Sequence, residues 1–208
     1  MRIQRTTEKH KRYWKNRKID WRKQYQNANH PHRLFIAAIL KNLEWGSCFE
    51  LGCGAGANLI NLVRQNPGKM VGGADISKDA IDVCNKTFKG GVFKVSSADD
   101  IMMSDEATDI ALSDMLYIYV GPAKISKYVE ELKRITRNYV LLCEFHHKSF
   151  LKRFWLRWRW GYNAYNWENL LKKHQFDDIR ILKVPVEVWP EEPQQTFAHI
   201  IMARAPKK

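Results

Sequence analysis

The sequence predicts an α/β protein whose mostly parallel sheet is covered by helices on both faces. Short, continuously apolar runs alternate with helically spaced apolar residues over residues 46–145. Continuous apolar runs are typical of parallel strands, which are buried on both faces. The first run ends in three glycines at alternate positions, a turn that leads directly into a helical pattern. The last two strand-like runs have no helix pattern between them, which predicts an antiparallel hairpin that closes the sheet.

Residues 1–45 are predicted to form basic helices. Residues 8–27 are polar apart from their aromatic rings, of which Trp14, Trp21 and Tyr25 are spaced seven and four apart and so share one helix face. Pro31 suits the first turn of a second helix, which ends near Gly46. This segment is expected to pack on the core or to close over a ligand as a lid on the substrate side.

Residues 46–208 are predicted to be the core, with a seven-stranded sheet. Five strands are expected near residues 47–51, 70–74, 92–95, 109–113 and 138–144, with helices that follow the glycine turn, Ser77 and Gly121. A basic and aromatic insert spans about residues 145–165, and Trp167–Lys173 is a short helix. Residues 178–188 and 196–203 are the expected hairpin strands.

Charge is unevenly distributed along the chain, whose net charge is +13. Residues 1–45 hold 12 Lys and Arg against 3 Asp and Glu, and residues 148–183 hold 9 against 3, whereas residues 46–147 hold 11 against 13. Two basic segments therefore flank a nearly neutral core, and they favour anionic partners. The four cysteines show no metal-binding spacing, so we expect reduced and mostly buried thiols. No apolar run approaches a membrane span, and the simplest expectation is a cytoplasmic protein without a bound metal.

Polar residues follow several of the predicted strands. Parallel sheets bind ligands at the carboxyl ends of their strands, so these residues are expected to converge on one crevice. They are the glycine turn, Asp75, residues 97–100, Ser113, Asp114 and residues 144–147.

The glycine turn alone is compatible with a dinucleotide such as NAD, but also with a different nucleotide cofactor. Gly52, Gly54 and Ala57 weakly satisfy the dinucleotide fingerprint, and Asp75 lies about where a ribose-binding acid is expected. Three features favour another cofactor. Glu50 precedes the first glycine by two residues, a third glycine stands at alternate spacing, and the chain ends in a predicted hairpin.

Residues 50–56 (ELGCGAG) resemble the first motif of the class I S-adenosylmethionine-dependent methyltransferases, which have a Rossmann-like fold. The resemblance continues through residues 74–77 (ADIS), 97–100 (SADD), 109–114 (DIALSD) and 129–135, and ends at residues 197–203. It covers roughly residues 45–205. It implies S-adenosylmethionine as the cofactor and methyl transfer as the activity.

The resemblance also implies which residues bind the cofactor. Gly52, Cys53, Gly54 and Gly56 would bring backbone against its methionine and ribose, and Glu50 would support that turn. Asp75 would accept both ribose hydroxyls, because one carboxylate can take two hydrogen bonds from a vicinal diol, and Ile76 follows it. Ala98 and Asp99 would flank the adenine, although Ser97 stands where the family often has an acid. Ser113 would lie beside the sulfonium.

Catalysis of methyl transfer depends mainly on positioning the acceptor in line with the methyl group. A base is needed only if the acceptor must lose a proton. Asp114, Tyr117 and His146 are the predicted catalytic residues, with Glu144 and His147 as further candidates.

The acceptor is predicted to be a small molecule, and the two basic segments are compatible with an anionic one. Residues 114–117 (DMLY) lack the signature of nucleobase-amine methylases, and no Pro-Cys pair serves carbon-5 pyrimidine chemistry. The interleaved Arg and Trp of the insert also suit single-stranded RNA or an amphipathic membrane surface. An RNA methyltransferase is therefore the alternative, ahead of an NAD-dependent dehydrogenase or an inactive, methyltransferase-like binding module.

Overall fold

The computed structural model describes residues 7–207, except for the side chain of Gln24. Residues 1–6 of the predicted N-terminal segment and residue 208 of the predicted core lie outside the described residues. The helices are α1 Thr7–Asn16, α2 Trp21–Tyr25, α3 Pro31–Lys41, α4 Ala57–Gln65, α5 Lys78–Thr87, α6 Ile125–Ile135, α7 Phe150–Trp160, α8 Trp167–Lys173 and α9 Gln194–Phe197, with a 3-10 helix at Tyr117–Tyr119. The strands are β1 Ser47–Leu51, β2 Met70–Asp75, β3 Val92–Val95, β4 Thr108–Asp114, β5 Thr136–Phe145, β6 Asp177–Lys183 and β7 Ala198–Arg204.

The sheet has seven strands in the order β3-β2-β1-β4-β5-β7-β6. Strands β1 to β5 pair in parallel, whereas β7 pairs antiparallel with both β5 and β6. The predicted Rossmann-like sheet with a C-terminal antiparallel hairpin is confirmed. The strand order reverses between β1 and β4, and the crevice outside their carboxyl ends is where such sheets bind ligands.

Apolar residues fill both faces of the sheet. On one face, Leu40 of α3 and Leu62 of α4 pack into a buried cluster with Ile110 of β4. On the other, Leu132 of α6 and Trp167 of α8 form a second buried cluster. Packing on both faces holds the strands rigidly. Residues at the carboxyl ends of the strands therefore have fixed positions.

The N-terminal segment differs from the single helix predicted over residues 8–27. Two helices form, because Asp20 begins α2 with a cap in which its side chain accepts a hydrogen bond from the Lys23 N–H at 3.0 Å. The three aromatic residues do not share the face of one helix as predicted, but their rings meet across α1 and α2. The centroid distances are 6.2 Å between Trp14 and Trp21, 5.8 Å between Trp14 and Tyr25, and 5.1 Å between Trp21 and Tyr25.

The hairpin strands are shorter than predicted. The β6 strand ends at Lys183 rather than near residue 188, because the Pro185 carbonyl accepts from the Val188 and Trp189 N–H groups in a turn. A short helix, α9, then precedes β7, which begins at Ala198. The loop between β6 and β7 thereby becomes long enough to reach the crevice.

All four cysteines are buried and unbridged, as predicted. Among residues 7–207, no helix combines the length and the apolar character that crossing a membrane requires.

Candidate functional site

The glycine turn after β1 has a left-handed backbone at each of its three glycines. The φ angles are 71° at Gly52, 49° at Gly54 and 77° at Gly56, values that side chains rarely tolerate. A Cβ on Gly52 would lie 2.9 Å from Leu116, and one on Gly56 would lie 2.6 Å from Phe88. A Cβ on Gly54 would meet only the Trp21 ring, at 3.8 Å, so Gly54 exposes bare backbone to open space.

Asp75, at the end of the neighbouring strand β2, stabilises this turn by hydrogen bonding. Its Oδ2 accepts a hydrogen bond from the Gly54 N–H at 3.0 Å, and its Oδ1 accepts one from the Ser77 N–H at 2.8 Å. Burial raises the pKa of Asp75, although the backbone donors Ser77 and Gly54 oppose that rise. A carboxylate has about four acceptor positions, so the side chain keeps capacity for a ligand.

A cavity of about 330 Å³ lies over the carboxyl edge of the sheet at the β1–β4 crevice. This volume is within the range of about 300–1,000 Å³ for small-molecule and cofactor sites. The floor comes from the glycine turn and the ends of β2 and β4, and the N-terminal helices form a roof. The residues that line the roof and side walls include His10, Trp14, Trp21, Tyr25, Tyr119, Phe145, Tyr162, Trp189 and Gln194.

A chain of buried polar side chains crosses the cavity floor. Asn58 Nδ2 donates to Glu50 Oε1 at 2.7 Å and to Asp114 Oδ2 at 3.0 Å. His32 Nε2 lies 2.9 Å from the same Asp114 oxygen, and the Nδ1 atoms of His32 and His30 are 2.6 Å apart. The Trp189 ring stacks on His32 with 4.1 Å between centroids. Both ring nitrogens of His32 are therefore engaged within the protein.

Four buried polar atoms at this end of the cavity have no hydrogen-bond partner. They are Glu50 Oε2, Asn58 Oδ1, Asp114 Oδ1 and Arg33 Nε, and all four residues line the cavity. Buried polar groups are normally paired, so unpaired ones at a cavity wall indicate where a polar ligand binds. Three acceptors beside one donor are complementary to an α-amino acid, whose ammonium donates and whose carboxylate accepts. The methionine moiety of S-adenosylmethionine fits this set.

The two acids of this group differ in proton affinity. Burial raises the pKa of Glu50 to about 8, against the opposing effect of its hydrogen bond from Asn58. Burial also acts to raise the pKa of Asp114, but the His32 charge and hydrogen bond outweigh it and hold that pKa below its usual value. Asp114 thus stays ionised beside His32, whereas Glu50 is protonated at neutral pH until a cation approaches.

The structure brings seven of the ten predicted cofactor residues to the cavity, namely Glu50, Gly52, Cys53, Gly54, Asp75, Ile76 and Ala98. Gly56 faces Phe88 instead. Ser113 Oγ donates to Glu144 Oε1 at 3.0 Å. Asp99 pairs with Lys11 Nζ of α1 at 2.7 Å. Burial acts to raise the pKa of Asp99, but the hydrogen bonds from Lys11 and Ser97 lower it to about 2. Through the ion pair with Lys11, Asp99 connects the roof to the edge of the sheet. Ser97, and not Asp99, lines the cavity.

Of the three predicted catalytic residues, Asp114 lines the cavity, whereas Tyr117 and His146 are directed elsewhere. The Tyr117 ring is fully buried against Trp167, at 5.2 Å between centroids. His146 Nδ1 accepts a hydrogen bond from the Trp167 N–H at 3.2 Å. Burial, and then the nearby His199, lower the pKa of His146 to about 4. Neither side chain therefore reaches the cavity.

The other two candidate bases also have structural partners. Glu144 accepts from Ser113 Oγ and from the Leu116 and Tyr117 N–H groups. His147 Nδ1 accepts from the Ser149 N–H at 2.9 Å.

Sequence reasoning missed several cavity residues, chiefly His32, Arg33, Asn58, Trp189 and Gln194. Asn58 lies two residues after the last glycine of the motif, and its position on the first turn of α4 was a usable signal. His32 and Arg33 stand in the first turn of α3, and Trp189 and Gln194 lie between the two hairpin strands, where no local motif marks a binding residue. Across residues 7–207, no group of three His, Cys, Asp or Glu side chains is arranged to hold a metal ion.

Residues 49–139 match the family described as "Methyltransferase domain". No curated protein matches the chain. Among solved structures, a chain of the complex between the Haloferax volcanii methyltransferase activator Trm112 and its methyltransferase superposes with a TM-score of 0.67 at 16% identity, covering 90% of this chain and 95% of that one.

Two further solved structures are similar. A SAM-dependent methyltransferase from Aquifex aeolicus has a TM-score of 0.64 at 16% identity, covering 91% of this chain and 100% of that one. The magnesium protoporphyrin IX methyltransferase from Synechocystis, solved with bound SAM, has a TM-score of 0.62 at 13% identity, covering 96% and 97%. At these identities the structural similarity establishes the shared fold.

Proposed function

We propose that this chain is a class I S-adenosylmethionine-dependent methyltransferase, which the match of residues 49–139 to a methyltransferase domain supports. Its acceptor is a small molecule whose nucleophilic atom is already anionic at neutral pH. The observation that carries the proposal is the roofed cavity, which has a polar end suited to the cofactor and an aromatic end with space for a small ligand.

We propose that Asp75 and the glycine turn hold the adenosyl part of the cofactor. Asp75 keeps free acceptor positions beside the bare backbone of Gly54, which suits a ribose diol. Ala98 and Ser97 line the same side of the cavity farther along the sheet edge and would face the adenine. Trp21 and Tyr25 cover this region from the roof.

The methionine end would meet the four unpaired atoms described above. Its ammonium would donate to Glu50, Asn58 and Asp114, and its carboxylate would accept from Arg33 Nε. His32 holds Asp114 ionised and in place for that contact. When bound, the cofactor supplies an electrophilic methyl group on a sulfonium, which transfers by in-line displacement.

The acceptor end is enclosed by aromatic rings. Tyr162 contacts both Tyr119 and Phe145, at 5.8 and 6.1 Å between centroids, and Trp189 with Gln194 form the adjoining wall. Gln194 Oε1 is buried without a partner and offers one hydrogen-bond acceptor. Such a wall suits a small, largely apolar molecule better than a continuous polynucleotide strand.

Of the predicted bases, only Asp114 lines the cavity, and the cofactor ammonium would occupy it, which supports an acceptor that needs no base. Tyr117, His146 and Glu144 do not line the cavity, and the two nitrogens of His32 are both engaged. An anionic oxygen or sulfur attacks a methyl sulfonium without losing a proton, so positioning supplies the catalysis. The +13 net charge favours such an acceptor.

A methyl-transfer screen tests this function. Cell extract, separated into small molecules, RNA and protein, is incubated with the enzyme and cofactor labelled in the methyl group. We expect label in acidic small molecules, with a rate independent of pH from 7 to 9 at saturating cofactor. The Asp75→Ala variant serves as the inactive control. Label confined to RNA or protein would overturn the proposal.

A variant at His10 tests whether the enzyme deprotonates the acceptor. The His10 ring lies 4.9 Å from that of Tyr119. Loss of activity in His10→Gln, together with a pH-dependent rate, would show that the acceptor is deprotonated by the enzyme.

Cofactor affinity is expected to rise with pH through Glu50. In the free protein its carboxyl has a pKa of about 8, and an ammonium against it lowers that pKa, so binding releases a proton. The dissociation constant should fall by up to about tenfold per pH unit between pH 6 and 8 and level off above 8. Titration calorimetry of wild type and Glu50→Gln checks this, because the variant should show weaker and nearly pH-independent binding.

Glu144→Gln is the matched control for that experiment. Glu144 also has a pKa raised to about 8 by burial, but it does not line the cavity. Its variant should retain the wild-type dependence of affinity on pH. If the affinity of wild type and of Glu50→Gln depended on pH in the same way, Glu50 would not contact the ammonium of the cofactor.

A further inference from the structure

Helix α7, Phe150–Trp160, carries a large exposed apolar surface. Ser149 caps its start by accepting from the Lys152 N–H, and Gly161 ends it in a left-handed conformation with φ 76°. Its five exposed apolar side chains have exposed fractions between 49% and 75%. They are Phe150, Leu151, Phe154, Trp155 and Trp158.

These five residues form one continuous face. At about 100° per residue they span an arc of about 140°, whereas Leu156 and Trp160 lie on the opposite side of the helix. Leu156 is fully buried and Trp160 packs on the core, so the helix is anchored by a narrow stripe and presents its wider apolar face outward. Clusters of exposed aromatic side chains of this kind mark an interaction surface.

Basic residues border this face on both sides. On the same helical projection, Lys152 and Arg159 lie along one edge, and Arg153 and Arg157 lie along the other. Residues 148–167 contain no Asp or Glu. Within the described chain, Lys152, Arg153 and Arg157 form no ion pair with a carboxylate. The face is therefore apolar at its centre and cationic at its rim.

We propose that α7 docks this protein on the surface of an anionic lipid membrane, lying in the interface without crossing it. Helices that bind there present Trp, Phe and Leu on one face and Lys or Arg beside them, so that rings enter the acyl boundary while cations reach the phosphates. Five apolar side chains between two basic borders match that arrangement.

Other occupants fit the face less well. A second copy of the chain would place the same cationic borders against each other, which is repulsive. Single-stranded RNA binds in basic grooves whose rings stack with bases, whereas this face is convex and includes the aliphatic Leu151.

Vesicle binding tests the proposal without reference to the acceptor. Purified full-length protein is sedimented with vesicles of phosphatidylcholine alone or with about one-third phosphatidylglycerol at about 0.1 M salt. We expect at least tenfold tighter binding to the anionic vesicles. Phe154→Ser with Trp158→Ser should weaken that binding at least tenfold, and Lys152→Glu with Arg157→Glu should abolish the preference for anionic lipid.

Matched controls remove equivalent groups elsewhere on the surface. Met102→Ser with Leu182→Ser removes two exposed apolar side chains, and Lys86→Glu with Lys89→Glu reverses two exposed charges. Both pairs should bind vesicles like wild type. All variants change exposed residues except Arg157, which is half-buried, and unchanged thermal unfolding confirms that they fold. Failure of wild type to bind anionic vesicles, or equal loss in the control pairs, would overturn the proposal. So would a dimer in sedimentation velocity that Phe154→Ser with Trp158→Ser converts to a monomer.

Discussion

Replacing Asp75 with alanine is expected to weaken S-adenosylmethionine binding at least 100-fold. Two hydrogen bonds to a charged acceptor contribute about 1.5–3 kcal/mol each, so their loss costs about 3–6 kcal/mol. The substitution also removes the acceptor that holds the Gly54 and Ser77 N–H groups, which leaves the glycine turn less well ordered. Titration calorimetry at constant pH measures the change directly.

Two further variants make this experiment specific. Asp75→Asn keeps the shape and one acceptor oxygen, so we expect an intermediate loss. Asp82→Ala removes an acid on the outer face of α5, where Asp82 pairs with Lys78 at 2.6 Å, and should bind the cofactor like wild type. Unchanged binding by Asp75→Ala would contradict the placement of the ribose at Asp75. Tighter binding of NAD than of S-adenosylmethionine by wild type would contradict the cofactor assignment itself.

Glu144→Ala is expected to lower the free energy of unfolding by about 3–5 kcal/mol. The Glu144 carboxyl is fully buried and accepts from Ser113 Oγ and from the Leu116 and Tyr117 N–H groups. Alanine leaves those donors without a partner and opens a cavity, and each effect alone costs about 1–3 kcal/mol. Urea unfolding at about pH 4.5, where ionisation of the Glu144 carboxyl does not yet oppose folding, measures the loss. Glu144→Gln retains an acceptor oxygen of the same shape and should lose much less, whereas equal losses would show that the hydrogen bonds contribute little.

The same pair of variants gives a pH dependence with a defined sign. Burial raises the pKa of Glu144 to about 8 in the folded protein, from 4.5 for an ordinary glutamate. Its contribution to stability is therefore fully present below about pH 4.5 and is lost as pH rises towards 8, at up to about 1.4 kcal/mol per pH unit. Glutamine does not titrate, so Glu144→Gln should lose stability less steeply than wild type between pH 5 and 8. Parallel curves for the two proteins would contradict the raised pKa.

The residues that could be predicted are those whose role follows from neighbouring sequence. Gly52 and Gly54 stand where a strand meets a helix, and Asp75 ends the next strand, so a local pattern is sufficient to bring them to one sheet edge. Tyr117 and His146 lie outside the cavity for a different reason. Side chains alternate along an extended chain, so Phe145 enters the cavity while Glu144 and His146 point away from it. The 3-10 turn at Tyr117–Tyr119 similarly directs Ile118 and Tyr119 to the cavity and Tyr117 into the core.

By itself, the sequence determined the sheet, the glycine turn, the position of Asp75 at the end of β2 and the position of the basic, aromatic insert, because each depends on periodicity or spacing within a few tens of residues. Only the tertiary structure decided that His32 pairs with Asp114, that Lys11 of α1 ties the roof to Asp99, and that Trp189 reaches the cavity from the far hairpin. Those contacts join residues about 80 or more positions apart, and the packing of helices on a rigid sheet brings them together. It also decided which aromatic residues of the insert are core and which are exposed, because a single helix carries both.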